Sequence, residues 1–502
     1  MSVIKFENKM KLYGLLATIA AAFFFTAELQ AQSVTGSDST TWEAEAFSSI
    51  ASGTYTPFWM ASNRYGLVPL ETGNGYLLAG VKHEKKLGNS WRWQAGVSMA
   101  AIEPRYRSVL VQELYAGISY KSLLLTAGSK ENYTSLWDRE LSSGDMVLST
   151  NARPIPEINL SMPVFTVVPY TRGWLQVKGD FAVGRSFDTD YLDQYIRNGV
   201  TYVQNVLWHR KSGYLKIHDS RGSFPLSATV GIQHRVQWGG ESNNPRIGKQ
   251  PQSFGDFLRV IAGSEGGEGA TASDKINVLG NHFGSYDMEI AYKGKGWSLK
   301  GYHQKYFEDK SGMELANGTD GLWGIQVDLP SFSLLRKVVV EHVVTRNQSG
   351  QFHFLDFDHN AHPGRGGGAD GYYNNGEYTT GVSYFNRGLG SPLIPSPEYN
   401  NNGTLGFPNT RVSDWHLGLS GALSAQVEYR LLGTVMNTYG SHGQPFRTIK
   451  RGVSGLMDIT YRHPQLNGWK FTGTVAADGR ELFGRSIGVS LRVTKTGLLK
   501  SW

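Results

Sequence analysis

Ser486-Ile487-Gly488-Val489-Ser490-Leu491-Arg492-Val493-Thr494 is the stretch that decides the fold. Ile487, Val489, Leu491 and Val493 fall on one face; Ser486, Gly488, Ser490, Arg492 and Thr494 fall on the other. Strict period-two alternation marks a strand with one apolar and one wet face. The preceding segment supplies the other arm of a hairpin, Trp469 to Lys495, with Trp469, Phe471 and Val475 set against Lys470, Thr472 and Thr474. In a soluble sandwich many such apolar faces must meet one another. In a membrane barrel they all look at lipid, and small polar side chains fill the inside.

Working outward from this hairpin, the same alternation recurs. It predicts strands at Trp42–Phe47, Tyr76–His83, Trp91–Ala100, Val109–Tyr120, Leu123–Lys130, Ile158–Val168, Trp174–Arg185, Tyr214–His218 and Leu226–Trp238. It continues at Tyr286–Tyr292, Trp297–Phe307, Leu322–Leu329, Lys337–Thr345, Val412–Gly421, Ala425–Asn437 and Val453–Tyr461. Pro163, with Pro169 close behind, counts against Ile158–Val168. The sum is about eighteen strands, an even number, joined alternately by short and long connections. Bacterial barrels have short periplasmic turns and long extracellular loops. That parity puts Glu131–Glu157, Ser186–Arg210, Gly239–Gly284, Glu308–Asp320, Asp356–Thr410, Thr438–Gly452 and Ala477–Phe483 outside. Within Gly239–Gly284, the residues Phe254, Phe257, Leu258 and Ile261 behind Ser253 predict a short capped amphipathic helix. The expected class is all-β, an antiparallel transmembrane β-barrel over residues 32–502. Trp91, Trp174, Trp297, Trp415 and Trp469 stand at strand ends, where interfacial girdles lie.

Composition agrees. Gly numbers 61 and Tyr 25 among 502 residues, and the mean hydropathy is −0.32. Apolar residues at alternate positions give no long apolar run, so mild hydrophilicity is compatible with a barrel in lipid. The absence of cysteine excludes disulfides, thiolate metal sites and a cysteine-linked lipid anchor. At the N-terminus, Lys5, Lys9 and Lys11 precede the apolar run Leu12 to Thr26, with a cleavage point after Ala31. That run is shorter than the ~20 residues of a membrane-spanning helix, so residues 1–31 read as a secretory signal peptide. Removing them takes three Lys and two Glu from a formal charge of +7, leaving +6. An exported, mildly basic barrel is placed in the outer membrane of a Gram-negative bacterium. Its charge suits acidic glycans or lipopolysaccharide phosphates, and equally suits scattered surface Lys and Arg with no partner; nothing points to nucleic acid.

Several short motifs are familiar when taken in order. They are Pro57-Phe58-Trp59 with Asn63-Arg64-Tyr65-Gly66, Asn151-Ala152-Arg153-Pro154-Ile155-Pro156, and His234 with Gln237-Trp238-Gly239-Gly240. Gly280-Asn281-His282, Asn386-Arg387-Gly388-Leu389-Gly390-Ser391-Pro392-Leu393 and Ala476-Ala477-Asp478-Gly479-Arg480 follow. Together they resemble the capsule assembly protein family Wzi, in a Bacteroidetes-like version. The resemblance implies an outer-membrane barrel of about eighteen strands acting as a surface lectin. Such a protein holds capsular polysaccharide at the cell surface and does not make it. Enterobacterial relatives add a small periplasmic helical bundle, for which Gln32–Thr40 is too short. The expected partners are the polysaccharide and outer-membrane lipid with lipopolysaccharide, around a monomeric barrel.

A glycan site needs flat aromatic faces for sugar C–H surfaces and bidentate polar groups for hydroxyls; Arg and Lys pair with sugar carboxylates. Tyr372, Tyr373, Asn374, Asn375, Tyr378 and Arg387 offer that mixture in the longest loop, and Trp137, Asp138, Arg139 and Arg153 in another. The same residues could instead pack the loops over the barrel mouth, with Arg153 as a buried staple between prolines. Asp478 and Arg480 are expected to pair across the last external turn. His353, Asp356, Asp358, His359 and His362 cluster in sequence but match no metal-ligand spacing, so no metal or other cofactor is expected. No spacing marks a catalytic nucleophile, and the protein reads as a non-enzyme. The first alternative is a porin-like diffusion channel, whose water would be lined by the inward Arg430, Arg492, Glu428 and Lys470, and the second a barrel hydrolase cleaving lipid or glycan.

Overall fold

The computed structural model describes residues 38–501 except 105–108, 134, 197–198, 267–277, 352, 355–365 and 401–402. The expected signal peptide therefore lies outside the described residues. So do the side chains of the 353–362 cluster.

Eighteen strands form one closed antiparallel barrel. They are β1 (Ser39–Ala51), β2 (Gly73–Leu87), β3 (Trp91–Glu103), β4 (Val109–Tyr120), β5 (Leu123–Ser129), β6 (Glu157–Val167), β7 (Leu175–Arg185), β8 (Leu207–His218) and β9 (Leu226–Trp238). The second half comprises β10 (Asn281–Lys293), β11 (Ser298–Phe307), β12 (Gly321–Asp328), β13 (Lys337–Val344), β14 (Ser413–Ala422), β15 (Val427–Gly440), β16 (Pro445–Arg462), β17 (Trp469–Arg480) and β18 (Ser486–Ser501). Each strand pairs with the next, and β1 closes the ring on β18 with Phe47 opposite Arg492. Closure satisfies the backbone polar groups that an open sheet would leave bare in lipid.

The alternation points as expected. Ile487, Val489 and Leu491 look outward, Ile487 with 63% of its surface exposed, while Ser486 and Thr494 are buried inside. Among the described residues, no helix is long and apolar enough to cross a membrane. Pro163 is accommodated where β6 slips register between Met162 and Thr166, the kind of irregularity at which a sheet tolerates proline. Trp91, Trp174, Trp297 and Trp469 mark the short-turn end; Trp415 sits near the other end, stacked on His342 at 4.4 Å.

Two strand starts differ most from the sequence reading. β16 begins at Pro445, so the expected external loop Thr438–Gly452 shrinks to a turn over 441–444. That extension carries no apolar face because it stands in water on both sides, with Lys450 over the Phe446 ring at 4.2 Å. β8 begins at Leu207, not Tyr214. Its early outward residues His209 and Lys211 break the apolar pattern, and a helix of the chain itself covers them.

The external connections are labelled L1 (52–72), L2 (104–108, of which only Pro104 is described), L3 (130–156), L4 (186–206), L5 (239–280), L6 (308–320), L7 (345–412), L8 (441–444) and L9 (481–485). The main apolar core sits inside the external half of the barrel, where L1, L3 and L7 fold inward and pack with wall residues such as Tyr302, Tyr306, Phe283 and Val343.

Candidate functional site

L1 enters through the short helix α1 (Phe58–Ala61), all four residues of which are buried. The Phe58 N–H donates to Asp478 Oδ2 at 2.8 Å, and the Trp59 indole N–H to Thr434 Oγ1 at 2.8 Å. Asp478 is thus engaged with α1 and is not the expected partner of Arg480.

L3 crosses the lumen below L7. Glu341 of β13 receives Ser142 Oγ–H at 2.7 Å and the Ser143 N–H at 2.6 Å. Asp145 Oδ2 takes the Gln233 amide at 2.8 Å, and the Met146 N–H donates to Gln304 Oε1 at 2.8 Å. One loop is therefore stitched to β9, β11 and β13. Buried polar groups satisfied in this way specify a single arrangement, because each missing partner would cost the full desolvation of the other.

L7 lies across L3. Gly381, at φ +66°, lets the chain turn where an added Cβ would sit 2.4 Å from the Tyr373 carbonyl oxygen. Arg387 is buried and spends its fork on three oxygens. They are Glu398 Oε2 at 2.7 Å, the Ala61 carbonyl at 2.9 Å and the Val68 carbonyl at 3.0 Å. It ties L7 to L1.

The ten sequence-derived candidates fall mostly inside this plug. Trp137 is buried and stacks on Tyr302 at 4.5 Å. Asp138 accepts the Glu140 and Leu141 N–H groups and pairs with Lys337 Nζ at 2.6 Å. Tyr372 and Tyr373 are buried on either side of Tyr306, and Tyr378 is buried with its hydroxyl toward the Gly239 carbonyl. Asn374 exchanges two hydrogen bonds with the Phe407 backbone, and Asn375 Oδ1 caps the Glu377 and Tyr378 N–H groups. Arg153 lies over the Phe385 ring at 4.7 Å and donates to the Val111 carbonyl at 2.6 Å. Arg139 alone is exposed; it stands over the Tyr65 ring at 5.3 Å and faces the remaining lumen.

That remaining lumen is a cavity of about 760 Å³ below the plug, at the periplasmic end. Arg430, Arg492, Glu428 and Lys470 line it, as the alternation predicts. Many of its charges are already paired: Lys82 with Glu113 at 2.8 Å, Arg336 with Glu428 at 3.3 Å, and Arg430 with Asp458.

On the outer face the sequence reading missed a group of four half-buried tyrosines. The helix α2 (Thr189–Tyr195) presents Tyr191 and Tyr195 stacked at 5.8 Å and 16°. The Tyr195 hydroxyl bonds the Pro397 and Asn400 carbonyls, both at 3.1 Å, and Tyr399 meets Tyr55 edge to face at 5.4 Å. Asp190 and Gln194 neighbour Tyr191 and Tyr195 along the chain, and Glu398 and Asn400 flank Tyr399. No local motif announces this group, since it is assembled from L1, L4 and L7.

The same contact carries a pH-sensitive carboxyl. Asp188, just before α2, receives the Phe385 N–H at 3.1 Å, and burial pushes it up to about 6. An unfolded Asp titrates near 4. Its stabilising contribution is therefore complete below about pH 4 and is lost as pH rises through about 6. Amide exchange at Phe385, corrected for intrinsic rate, is expected to accelerate over that window. Asp188→Asn, which keeps an acceptor without the charge, is expected to abolish the trend; a persisting trend would assign it to another group.

Residues 61–393 match the family model of the capsule assembly protein Wzi. This chain belongs to the Wzi family. Among solved structures, the Wzi-family barrel described here is similar to Wzi of Escherichia coli, at 12% identity and a TM-score of 0.51, over 91% of this chain and 84% of that one. The Escherichia coli protein is described as an outer membrane protein involved in group 1 capsule assembly and a carbohydrate-binding β-barrel. Pseudomonas aeruginosa OccK5 (OpdH) aligns at 10% identity with a TM-score of 0.44, over 92% and 99% of the two chains. OprD of the same organism aligns at 8% identity with a TM-score of 0.44, over 95% and 100%. No curated protein matches the chain.

Proposed function

We propose that this outer-membrane barrel is a non-enzymatic lectin that retains an exported polysaccharide on the cell surface. The observation that carries the reading is the inward folding of L1, L3 and L7. It fills the external half of the lumen with an apolar core and leaves tyrosines at the outer face. A filled mouth suits holding better than conducting. Tyr55, Tyr191, Tyr195 and Tyr399 supply flat faces for sugar C–H surfaces, and Asp190, Gln194, Glu398 and Asn400 supply hydroxyl partners. In this reading the buried Trp137, Tyr372, Tyr373 and Tyr378 and the partly buried Asp138, Arg153, Asn374 and Asn375 shape the platform from below. Arg387 positions Glu398 beside Tyr399.

A strain lacking the gene is expected to make the polymer in normal amount and shed it into the medium. Complementation with Tyr191→Ala plus Tyr399→Ala is expected to leave the barrel folded and weaken polymer binding at least ~10-fold, since aromatic anchors each contribute about 1–2 kcal/mol. Loss of polymer synthesis in the deletion strain would overturn the retention role. Unchanged binding by the double variant would move the site elsewhere.

A further inference from the structure

One external loop turns away from the lumen. L5 carries the helix α3 (Phe254–Ala262), which opens with a reciprocal cap. The Asp256 N–H donates to Ser253 Oγ at 3.2 Å, and the Ser253 N–H donates to Asp256 Oδ2 at 2.9 Å. Gly263, at φ +66°, ends it. Its inner side packs on the outer wall of the barrel. Phe257 stacks on Trp238 at 5.5 Å and reaches His209 of β8 and Phe181 of β7. Val260 is fully buried with Val236 and Leu279 in a small core separate from the plug. Lys211 Nζ donates to the Ile261 carbonyl, placing a cation at the negative end of the helix dipole.

Phe181, His209, Lys211, Val236 and Trp238 share the strand face that, farther from the loops, carries Leu215, Ile217, Val230 and Ile232, all exposed on the lipid side. The helix is therefore laid along the membrane side of the wall at its external edge. Among the described residues, two of its apolar side chains are left exposed. Phe254 is 75% exposed and Leu258, one turn on, is 52% exposed. Asp256 and Arg259 pair with each other at 2.9 Å on the opposite side of the helix.

We infer that α3 is an interfacial helix sunk in the outer leaflet, with Phe254 and Leu258 among acyl chains and Arg259 at headgroup level. The occupant is lipid because the helix seats on the same outward face of β8 and β9 that carries the belt residues Leu215, Ile217, Val230 and Ile232. A helix with this division of faces lies in the interface plane, its apolar side buried and its charged side wet. It also explains how His209 and Lys211 can stand on a lipid-side face: the helix, not the bilayer, covers them. The inference is independent of the lectin reading, since it concerns only the wall.

The lack of cysteine makes the test clean. Full-length protein with a single nitroxide at Phe254→Cys, Leu258→Cys or Arg259→Cys is reconstituted in phosphatidylethanolamine–phosphatidylglycerol vesicles. Collision rates with oxygen and with a water-soluble nickel chelate are compared with labels at Ile232→Cys in the belt and Gln444→Cys in L8. Gel mobility before and after heating confirms that each variant is folded. Labels at 254 and 258 are expected to match the belt, with oxygen favoured, and the label at 259 to match L8. Nickel access at 254 and 258 equal to that at 444 would place the helix in water. Access to neither reagent would mean protein covers it. Either result overturns the inference.

Discussion

Replacing 138–150 and 371–398 together by short glycine–serine linkers is expected to turn an electrically silent protein into a conducting one. The barrel wall does not depend on these segments, because its strand pairings run continuously from β1 round to β18. Its inner surface is already wet below the plug, with Arg430, Lys470 and Glu428 around a cavity of about 760 Å³. What stands between this cavity and the outside is packed side chains from L1, L3 and L7, among them Trp137, Met146, Tyr373 and Leu393. Removing two of the three segments takes away most of that packing. Planar-bilayer recording decides the matter: the unaltered protein shows no unitary steps and the deletion variant shows them. Steps from the unaltered protein would favour the diffusion-channel reading over retention.

Arg387→Ala is expected to be the most damaging single substitution in the plug. The guanidinium is buried and bonded to Glu398, Ala61 and Val68. Removing it strands the Glu398 carboxylate and two carbonyls, and breaking a buried pair on one side costs about 3–5 kcal/mol. Arg387→Lys is expected to recover only part of this, since one ammonium cannot reproduce a planar fork reaching three acceptors. The wall lacks these contacts, so the loss falls on the loops. Protease cleavage within L7 is expected to accelerate by a factor of hundreds while the heat-resistant gel mobility of the barrel is kept. Unchanged cleavage would show that L7 is held by its tyrosines alone.

The wall was legible because lipid on one side and water on the other impose a two-residue period, as in Ile487 to Val493. Legibility failed where that asymmetry ends. Residues 445–451 are open on both faces, and the outward His209 and Lys211 have a helix in place of lipid. The short helix α3 could be read from Ser253 and its apolar spacing, but not its seat on the wall, which depends on Trp238 and Val236 in another element. The loop candidates failed to separate for a different reason. Tyr372, Tyr373, Asn374 and Arg387 have the chemistry of a sugar site and equally of a hydrogen-bonded stopper. Only the fold shows whether a ring faces solvent, as Tyr191 does in part, or lies under another loop, as Tyr373 does.

The stopper's first piece is fastened to the last-made part of the chain. Phe58 is held by Asp478, and Ser486 Oγ donates to the Tyr55 carbonyl at 2.8 Å, 431 residues away along the chain. The same segment also grips Thr434 of β15 through Trp59 and Arg387 of L7 through the Ala61 and Val68 carbonyls, so its full set of partners exists only when the second half of the barrel and the final hairpin are in place. A barrel shortened by its last hairpin is therefore expected to lose two of the fastenings of L1 as well as its ring closure.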